Sequence, residues 1–210
     1  MPRVHASIGL LLLPLLAGAG ALLPLTAHAQ ARSWQLDPVH TRVMLAVEHA
    51  GFSKAIGTVS GSSGQLLFDP GNWHGARLDV QVPLDRLDFG DERWNRAVQA
   101  PNLLDTGNHP QARFVSSHIT VRDERNARVC GTLTLRGVSA PLCMDVSFNQ
   151  HRRYPLPPFR DTVGFSARAE LSRSAFGASA WPNLIGDTVE LRIEVEASRG
   201  GSAPDAASSP

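Results

Sequence analysis

The sequence predicts an all-β protein, an eight-stranded antiparallel barrel with one short helix. Eight segments alternate apolar and polar residues, which is the period of a strand that buries one face. Most neighbouring segments have no helical stretch between them, which argues against parallel crossovers. Eight antiparallel strands can close into an up-and-down barrel without open edges. A two-sheet sandwich fits the same alternation and remains the alternative.

Alternation and turn residues define the predicted strands in chain order. They are residues 42–49, 57–71, 76–85, 112–121, 127–135, 142–148, 162–171 and 188–195. Gly57, Gly61 and Gly64 indicate a bend within the second strand, and Asp69-Pro70-Gly71 indicates the turn that ends it. The short helix is predicted within residues 90–105, where Asp91 is a suitable N-cap.

The hairpin of residues 131–148 shows the alternation most clearly. Leu133, Leu135, Met144 and Val146 lie on one face, which is entirely apolar and carries no catalytic group. This face must therefore meet either another layer of protein or an apolar ligand.

Two cysteines lie on the polar face of this hairpin. Cys130 and Cys143 stand on opposite arms, and same-face residues close together across an antiparallel pair can form a disulfide. The sequence does not fix the register of the pair, so two separate thiols are an equal alternative.

Residues 1–29 have the composition of a secretory signal peptide. Arg3 is followed by an apolar run and by the small-x-small triplet Ala27-His28-Ala29. The alternative is an N-terminal membrane anchor, but prolines and glycines interrupt the run. We expect cleavage near Gln30, export to the periplasm and no transmembrane segment in the mature chain. The predicted barrel domain spans residues 33–197, and the Gly/Ser/Ala/Pro-rich tail of residues 198–210 is predicted to be disordered.

The charge composition argues against nucleic acid as a partner. The chain has 20 Lys plus Arg and 19 Asp plus Glu, with no basic block. The sequence does not predict an oligomeric state.

Catalytic and cofactor motifs are absent from the sequence. No metal-binding or phosphate-binding motif occurs, and two cysteines cannot complete a structural zinc site. Asp37, His40 and His49 form the one cluster that merits attention. His40 and His49 are about 30 Å apart along a straight strand. We therefore expect no catalytic residues, no metal and no cofactor, with Asp37 and His40 bonded to local backbone.

Several spaced motifs resemble the YceI-like family over residues 34–197. They are the Asp-x-x-His-Thr opening in 34–52, Leu-Leu-Asp and Pro-x-x-x-Phe in 103–114, Gly-x-Leu-Thr in 131–146, Arg-Ser-x-Phe-Gly in 171–177, and the final strand in 186–197. The resemblance implies an exported, lipocalin-like barrel that binds a polyisoprenoid or an isoprenoid quinone.

The chain departs from the family pattern near the predicted helix and near the last turn. Asn95 and Ala97 stand where the family commonly has Asp and His, and Leu103-Leu104 replaces an aromatic pair. Ala175 replaces an acidic residue. These changes affect polar contacts to a ligand head group rather than the barrel.

The inward faces of the predicted barrel supply the candidate ligand-binding residues. Because most of them are aliphatic, we expect an open lumen that holds one apolar chain. The candidates are Val43, Leu45, Val47, His49, Val59, Leu78, Val80, Leu133, Leu135, Met144, Val146, Val189, Leu191 and Ile193. His49 is the one polar residue in this set, and its imidazole can contact a polar group at the end of a ligand. An enzyme acting on an apolar substrate, or a filled barrel that serves as an interaction module, are the alternatives.

Overall fold

The computed structural model describes Met1 and residues 31–199. Residues 2–29 of the predicted signal peptide and residues 200–210 of the predicted tail lie outside the described residues. The strands are β1 (Arg32–Leu36), β2 (Arg42–His49), β3 (Ser53–Ser60), β4 (Ser63–Asp69), β5 (Asn72–Pro83), β6 (Leu87–Asp88), β7 (Gln111–Val121), β8 (Asn126–Leu135), β9 (Val138–Arg153), β10 (Asp161–Ser172) and β11 (Ile185–Arg199). The helix is α1 (Glu92–Gln99), and two 3-10 turns cover Leu84–Arg86 and Ser174–Phe176.

These strands form one closed antiparallel barrel. β1 and β2 lie end to end along β11, so together they make one bent strand of the wall. β3 and β4 make the second bent strand, and β6 continues the wall beside β3. β5, β7, β8, β9, β10 and β11 follow in sequence order, and the β1–β11 pairing closes the ring. The eight-stranded up-and-down barrel is confirmed, and the sandwich alternative is wrong.

The bend predicted at the glycines of the second strand occurs between β3 and β4. Gly61 has a φ of +80° and ends the first half of the bent strand. At Gly64, a Cβ atom would lie 2.2 Å from the carbonyl oxygen of Asp79 on the neighbouring strand. Only glycine fits there, because the two backbones approach so closely.

Aromatic side chains close one end of the barrel, which we call the closed end. Phe68 lies at the centre of this cluster, 5.2 Å from Trp73, 5.3 Å from Phe148 and 5.1 Å from Phe165 between ring centroids. Trp34 is fully buried beside them, and its Nε1 donates to the Phe68 carbonyl at 2.9 Å. The inward residues predicted from the sequence are mostly aliphatic, yet the barrel also contains internal rings, and these are concentrated at this end.

The predicted helix lies at the opposite end, which we call the mouth. Asp91 caps α1 by accepting from the backbone N–H groups of Arg93 and Trp94. Asn95 anchors the helix: its Oδ1 accepts from the Phe89 N–H at 2.7 Å and its Nδ2 donates to Asp88. No residue of α1 is fully buried. The helix is therefore held by its ends and by polar contacts rather than by a packed core.

Arg136 in the β8–β9 turn ties the segments of the mouth together. Its guanidinium donates to the Pro101 carbonyl at 2.7 Å, just after α1, and to the Gly177 carbonyl at 2.8 Å. A hydrogen bond from a charged donor is stronger than a neutral one, so this single side chain fixes two loops against the barrel rim.

The predicted start of the disordered tail and the predicted lengths of β9 and β11 need correction. β11 continues to Arg199, so residues 198 and 199 of the predicted tail are strand rather than disordered. The strands are also longer than the predicted alternation, with β9 at 16 residues and β11 at 15. In β9 the pattern ends early because residues 149–153 are exposed on both sides of the wall.

Cys130 and Cys143 are directly opposite in the β8–β9 pair and form a disulfide, with Cα atoms 4.0 Å apart. Both cysteines lie on the outer, half-buried face of the barrel.

Reduction of this disulfide is expected to lower the free energy of unfolding by about 3 kcal/mol, since the bond restricts the unfolded chain. Denaturant titrations with and without reductant measure the difference. A Cys130→Ser, Cys143→Ser double variant should have the same free energy of unfolding as the reduced protein, and reductant should not change it. Equal stability of the oxidised and reduced wild type would contradict this expectation.

Candidate ligand-binding lumen

The barrel encloses a cavity of about 490 Å³ that runs from the closed end to the mouth. Its wall is almost entirely apolar, because the inward residues of the strands alternate with polar residues that face solvent. The volume lies within the ~300–1,000 Å³ that is usual for ligand pockets.

Every residue of the predicted ligand-binding set lies on this wall. The alternation of β2, β8, β9 and β11 therefore places side chains as the sequence indicated. Contact of these residues with a ligand stays a prediction. Sequence reasoning missed a second group, which includes Leu36, Leu66, Phe68, Trp73, Phe89, Phe114, Phe165 and Leu171. Phe114 and Phe165 obey the same alternation in their strands, so the signal that could have found them was present.

The ionisable groups on the lumen wall are few. They are Glu48, His49, Arg77 and Arg173. His49 and Arg173 both belong to the mouth, since His49 ends β2 and Arg173 follows β10. Glu48 precedes His49 at the same end, whereas Arg77 is an exposed residue of β5 that pairs with Leu67 near the aromatic cluster. Three of the four ionisable groups therefore lie at the mouth.

Arg173 is a buried guanidinium held by backbone carbonyls, and only 7% of the residue is exposed. Nε donates to the Gly186 carbonyl at 2.8 Å and Nη2 to that of Ile185 at 2.7 Å. Nη1 donates to the carbonyls of Ala178 and Ala180. Burying a charge is costly unless hydrogen bonds replace water, and these four acceptors do so. Sequence reasoning missed this role because the residues that supply the acceptors show no periodicity.

His49 lies on the rim of the mouth, at the end of β2. Its ring lies 5.2 Å from that of Trp94 on α1, measured between centroids. Its backbone pairs with Ile185 of β11, and its carbonyl accepts from the Phe52 N–H at 3.1 Å. Within residues 31–199 the structure gives its imidazole no hydrogen-bond partner. The ring nitrogens are therefore available to a polar group at the end of a ligand.

Asp37 and His40 form a separate pair outside the lumen, in the turn between β1 and β2. As expected for Asp37, its Oδ1 accepts from the backbone N–H groups of Val39 and His40. The His40 imidazole differs from the expectation, because its Nδ1 lies 2.9 Å from Asp37 Oδ2 and bonds a side chain rather than backbone. The hydrogen bond to Asp37 raises the pKa of His40. The negative charge of Glu196 also raises this pKa, whereas the positive charge of Arg42 lowers it. For Asp37, burial opposes ionisation, but the hydrogen bonds from His40 and the backbone prevail and lower its pKa.

The His40–Asp37 pair is expected to stabilise the fold most at pH values above the unfolded-state pKa of Asp37 and below the unfolded-state pKa of His40. The raised pKa of His40 gives a contribution that is complete below its unfolded pKa and is lost as pH rises through the folded value. The lowered pKa of Asp37 gives a contribution that is lost as pH falls through its folded value. An NMR titration of the imidazole carbons should show a higher pKa for His40 in the wild type than in Asp37→Asn. The same pKa in both proteins would contradict the assignment.

No three side chains of His, Cys, Asp or Glu within residues 31–199 converge in a way that would hold a metal ion. Over the same part of the chain, no helix has the length and apolar character needed to cross a membrane.

The fold and the lumen together define a class: a closed eight-stranded barrel with an apolar cavity that suits an apolar ligand. A YceI-like domain matches residues 34–197, and the chain belongs to the YceI-like family. A UPF0312 protein of Pseudomonas savastanoi pv. phaseolicola is 27% identical over 179 residues, which cover 84% of this chain and 92% of that protein. One of Shewanella baltica is 26% identical over 188 residues, which cover 90% of this chain and 97% of that protein.

Solved structures show the same fold at low sequence identity. Burkholderia cenocepacia BcnA superimposes with a TM-score of 0.69 at 22% identity, over 77% of this chain and 98% of that one. A polyisoprenoid binding domain from Saccharophagus degradans, implicated in plant cell wall breakdown, gives a TM-score of 0.58 at 12% identity, over 79% of this chain and 97% of that one.

Proposed function

We propose that this protein is a periplasmic carrier that holds one long apolar isoprenoid lipid or isoprenoid quinone in the barrel lumen. The observation that carries the proposal is the cavity of about 490 Å³ with its apolar wall. A filled barrel would present packed side chains here instead. The polyisoprenoid binding domain from Saccharophagus degradans, which has the same fold, supports the ligand class.

Burial of the ligand in this lumen supplies the affinity. Apolar surface removed from water contributes about 25 cal/mol per Å², offset in part by the entropy lost when a flexible chain is ordered. Because the wall contacts are apolar, binding should depend weakly on salt.

The two ends of the lumen set the direction of the ligand. The apolar tail points toward Phe68 and Phe165, where the ring cluster excludes water. The polar end lies at the mouth beside His49, whose imidazole can donate to or accept from a quinone or alcohol oxygen.

A binding role suits the site better than an enzymatic one. Covalent catalysis through a histidine base needs a Ser, Thr or Cys side chain within hydrogen-bond reach of the imidazole. The structure shows no such group beside the His49 ring within residues 31–199. The proposal assigns the protein no catalytic residue and no cofactor.

Mass spectrometry of solvent extracts from protein purified from the exported fraction tests the proposal. We expect one isoprenoid lipid or quinone in near-stoichiometric amount. Extracts without lipid, from a protein that also fails to take up added ubiquinone, would overturn the carrier role and favour a filled interaction module. Turnover of an added apolar ester that is lost in His49→Ala would favour the enzyme.

The intact mass of the same protein tests the periplasmic location. A mass that begins near Gln30 in the periplasmic fraction supports export and cleavage. A full-length mass retained in the membrane fraction would instead favour the N-terminal anchor.

A further inference from the structure

The mouth carries an apolar surface that the barrel does not cover. It consists of Phe52 in the β2–β3 turn, Trp94 on α1, and Trp181 and Leu184 in the loop before β11; we call this set the mouth collar. Their exposed fractions are 92% for Phe52, 39% for Trp94, 47% for Trp181 and 44% for Leu184.

The segments that carry the collar are adjacent at the mouth, because backbone hydrogen bonds and a ring contact link them around His49. The Phe52 N–H donates to the His49 carbonyl at 3.1 Å, and the His49 ring lies 5.2 Å from that of Trp94. The next residue, Ala50, donates its N–H to the Leu184 carbonyl at 2.7 Å. The Leu184 N–H in turn donates to the Trp181 carbonyl at 3.0 Å.

The collar is also continuous with the lumen. Trp94, Trp181 and Leu184 line the cavity, whereas Phe52 lies outside it. These three residues therefore give an apolar chain a path from the collar to the lumen, which passes beside His49 and Arg173.

We propose that the mouth collar docks on the surface of a lipid bilayer, so that the ligand moves between membrane and lumen without entering water. This inference rests on the proposed function, since only a ligand drawn from a membrane needs such a path. Tryptophan and phenylalanine favour the boundary between lipid head groups and acyl chains.

The size of the patch favours a bilayer over a second copy of this chain. The collar exposes roughly 500 Å², since aromatic side chains present ~150–250 Å² each. A stable protein interface needs about 800 Å² from each partner. Insertion into lipid demands no such area, because the bilayer deforms around each side chain.

The charges beside the collar indicate which bilayer it fits. Lys54 pairs with Glu190 at the edge of the patch, and Arg96 pairs with Glu92 on α1. Pairing leaves no strong field of one sign, so a zwitterionic surface is complementary and anionic lipid is not required.

Phe52→Ser is the variant that tests the docking, because Phe52 is almost fully exposed and does not line the lumen. Its thermal midpoint should match that of the wild type. Binding to phosphatidylcholine vesicles, measured by co-flotation of protein from the exported fraction, should fall roughly tenfold or more. Phe52→Trp should retain binding.

Leu156→Ser is the matched control. Leu156 is 63% exposed in the β9–β10 loop at the closed end, and its loss should not change binding to the vesicles.

Intrinsic fluorescence gives a second readout of the docked orientation. Trp94 and Trp181 lie in the collar, whereas Trp34 and Trp73 are buried at the closed end. Brominated phosphatidylcholine should quench part of the wild-type emission and quench Phe52→Ser much less.

Four results would overturn the docking, and the first three concern vesicle binding. The wild-type protein does not bind vesicles, Phe52→Ser binds vesicles as well as the wild type, or Leu156→Ser loses vesicle binding. A wild-type dimer that dissociates in Phe52→Ser without vesicle binding would make the collar a protein interface and also overturn it. If extracts still contain the isoprenoid lipid, only the docking has failed. Collar-dependent vesicle binding by a protein without any extractable lipid would instead overturn the carrier role.

Discussion

Replacing Leu191 with tryptophan is expected to leave the barrel folded and to abolish retention of the isoprenoid lipid. Leu191 is half-buried on β11 and faces the cavity, so the larger ring can occupy space that the ligand needs. Leu135 is a less suitable position, because it is 9% exposed and already packed within the core. Lipid content per protein, measured in solvent extracts, should fall at least tenfold while the circular dichroism spectrum stays the same.

The neighbouring position on the same strand supplies the control. Arg192 faces solvent, where its Nε bonds to Glu194 at 3.1 Å, and an exposed pair of this kind contributes little to stability. Arg192→Trp should therefore keep the lipid. If Leu191→Trp instead lowers stability by about 1–3 kcal/mol, the ring has been forced into a packed core. Lipid retained equally in both variants would place the ligand outside the lumen.

Truncation of Phe68 is expected to have the largest effect on stability. Phe68 is 1% exposed and contacts Trp73, Phe148 and Phe165 at the closed end. Phe68→Ala removes the centre of this cluster and leaves a cavity, so the free energy of unfolding should fall by about 3–5 kcal/mol. Denaturant titration of the oxidised protein measures the change.

Phe52→Ala makes the same chemical change at a position that is 92% exposed. It should alter the free energy of unfolding by no more than about 0.5 kcal/mol. A similar small loss in Phe68→Ala would mean that the closed end relaxes around the missing ring and is not the rigid base of the lumen.

The strand faces could be predicted from the sequence because alternation is a local property. In β8 and β9, Leu133, Leu135, Met144 and Val146 face inward wherever the register falls, since side chains alternate with a period of two. The helix could be predicted for a similar reason, because Asp91 caps it locally.

The aromatic closed end could not be derived from composition. Trp34, Phe68 and Trp73 lie on β1, β4 and β5, which pair as neighbours in the sheet. Phe165 lies on β10, far along the chain, and closure of the ring through the β1–β11 pair brings it to the same cluster. Periodicity predicts that such residues face inward, but not at which height of the barrel they meet.

The mouth was the least predictable part of the site. Arg173, Trp181 and Leu184 lie around a loop without periodicity, and Arg173 is satisfied by carbonyl oxygens that no side-chain pattern reveals. The sequence therefore indicated an apolar lumen but not the buried guanidinium or the exposed collar at its entrance.

Native mass spectrometry of protein from the exported fraction tests the central claim most directly, because it counts ligands on the intact barrel. We expect one added mass, equal to a single isoprenoid lipid or quinone, on most wild-type and Arg192→Trp molecules and on almost no Leu191→Trp molecules. A wild-type protein that carries no added mass, even after incubation with excess ubiquinone, would contradict the account of the lumen as a ligand site.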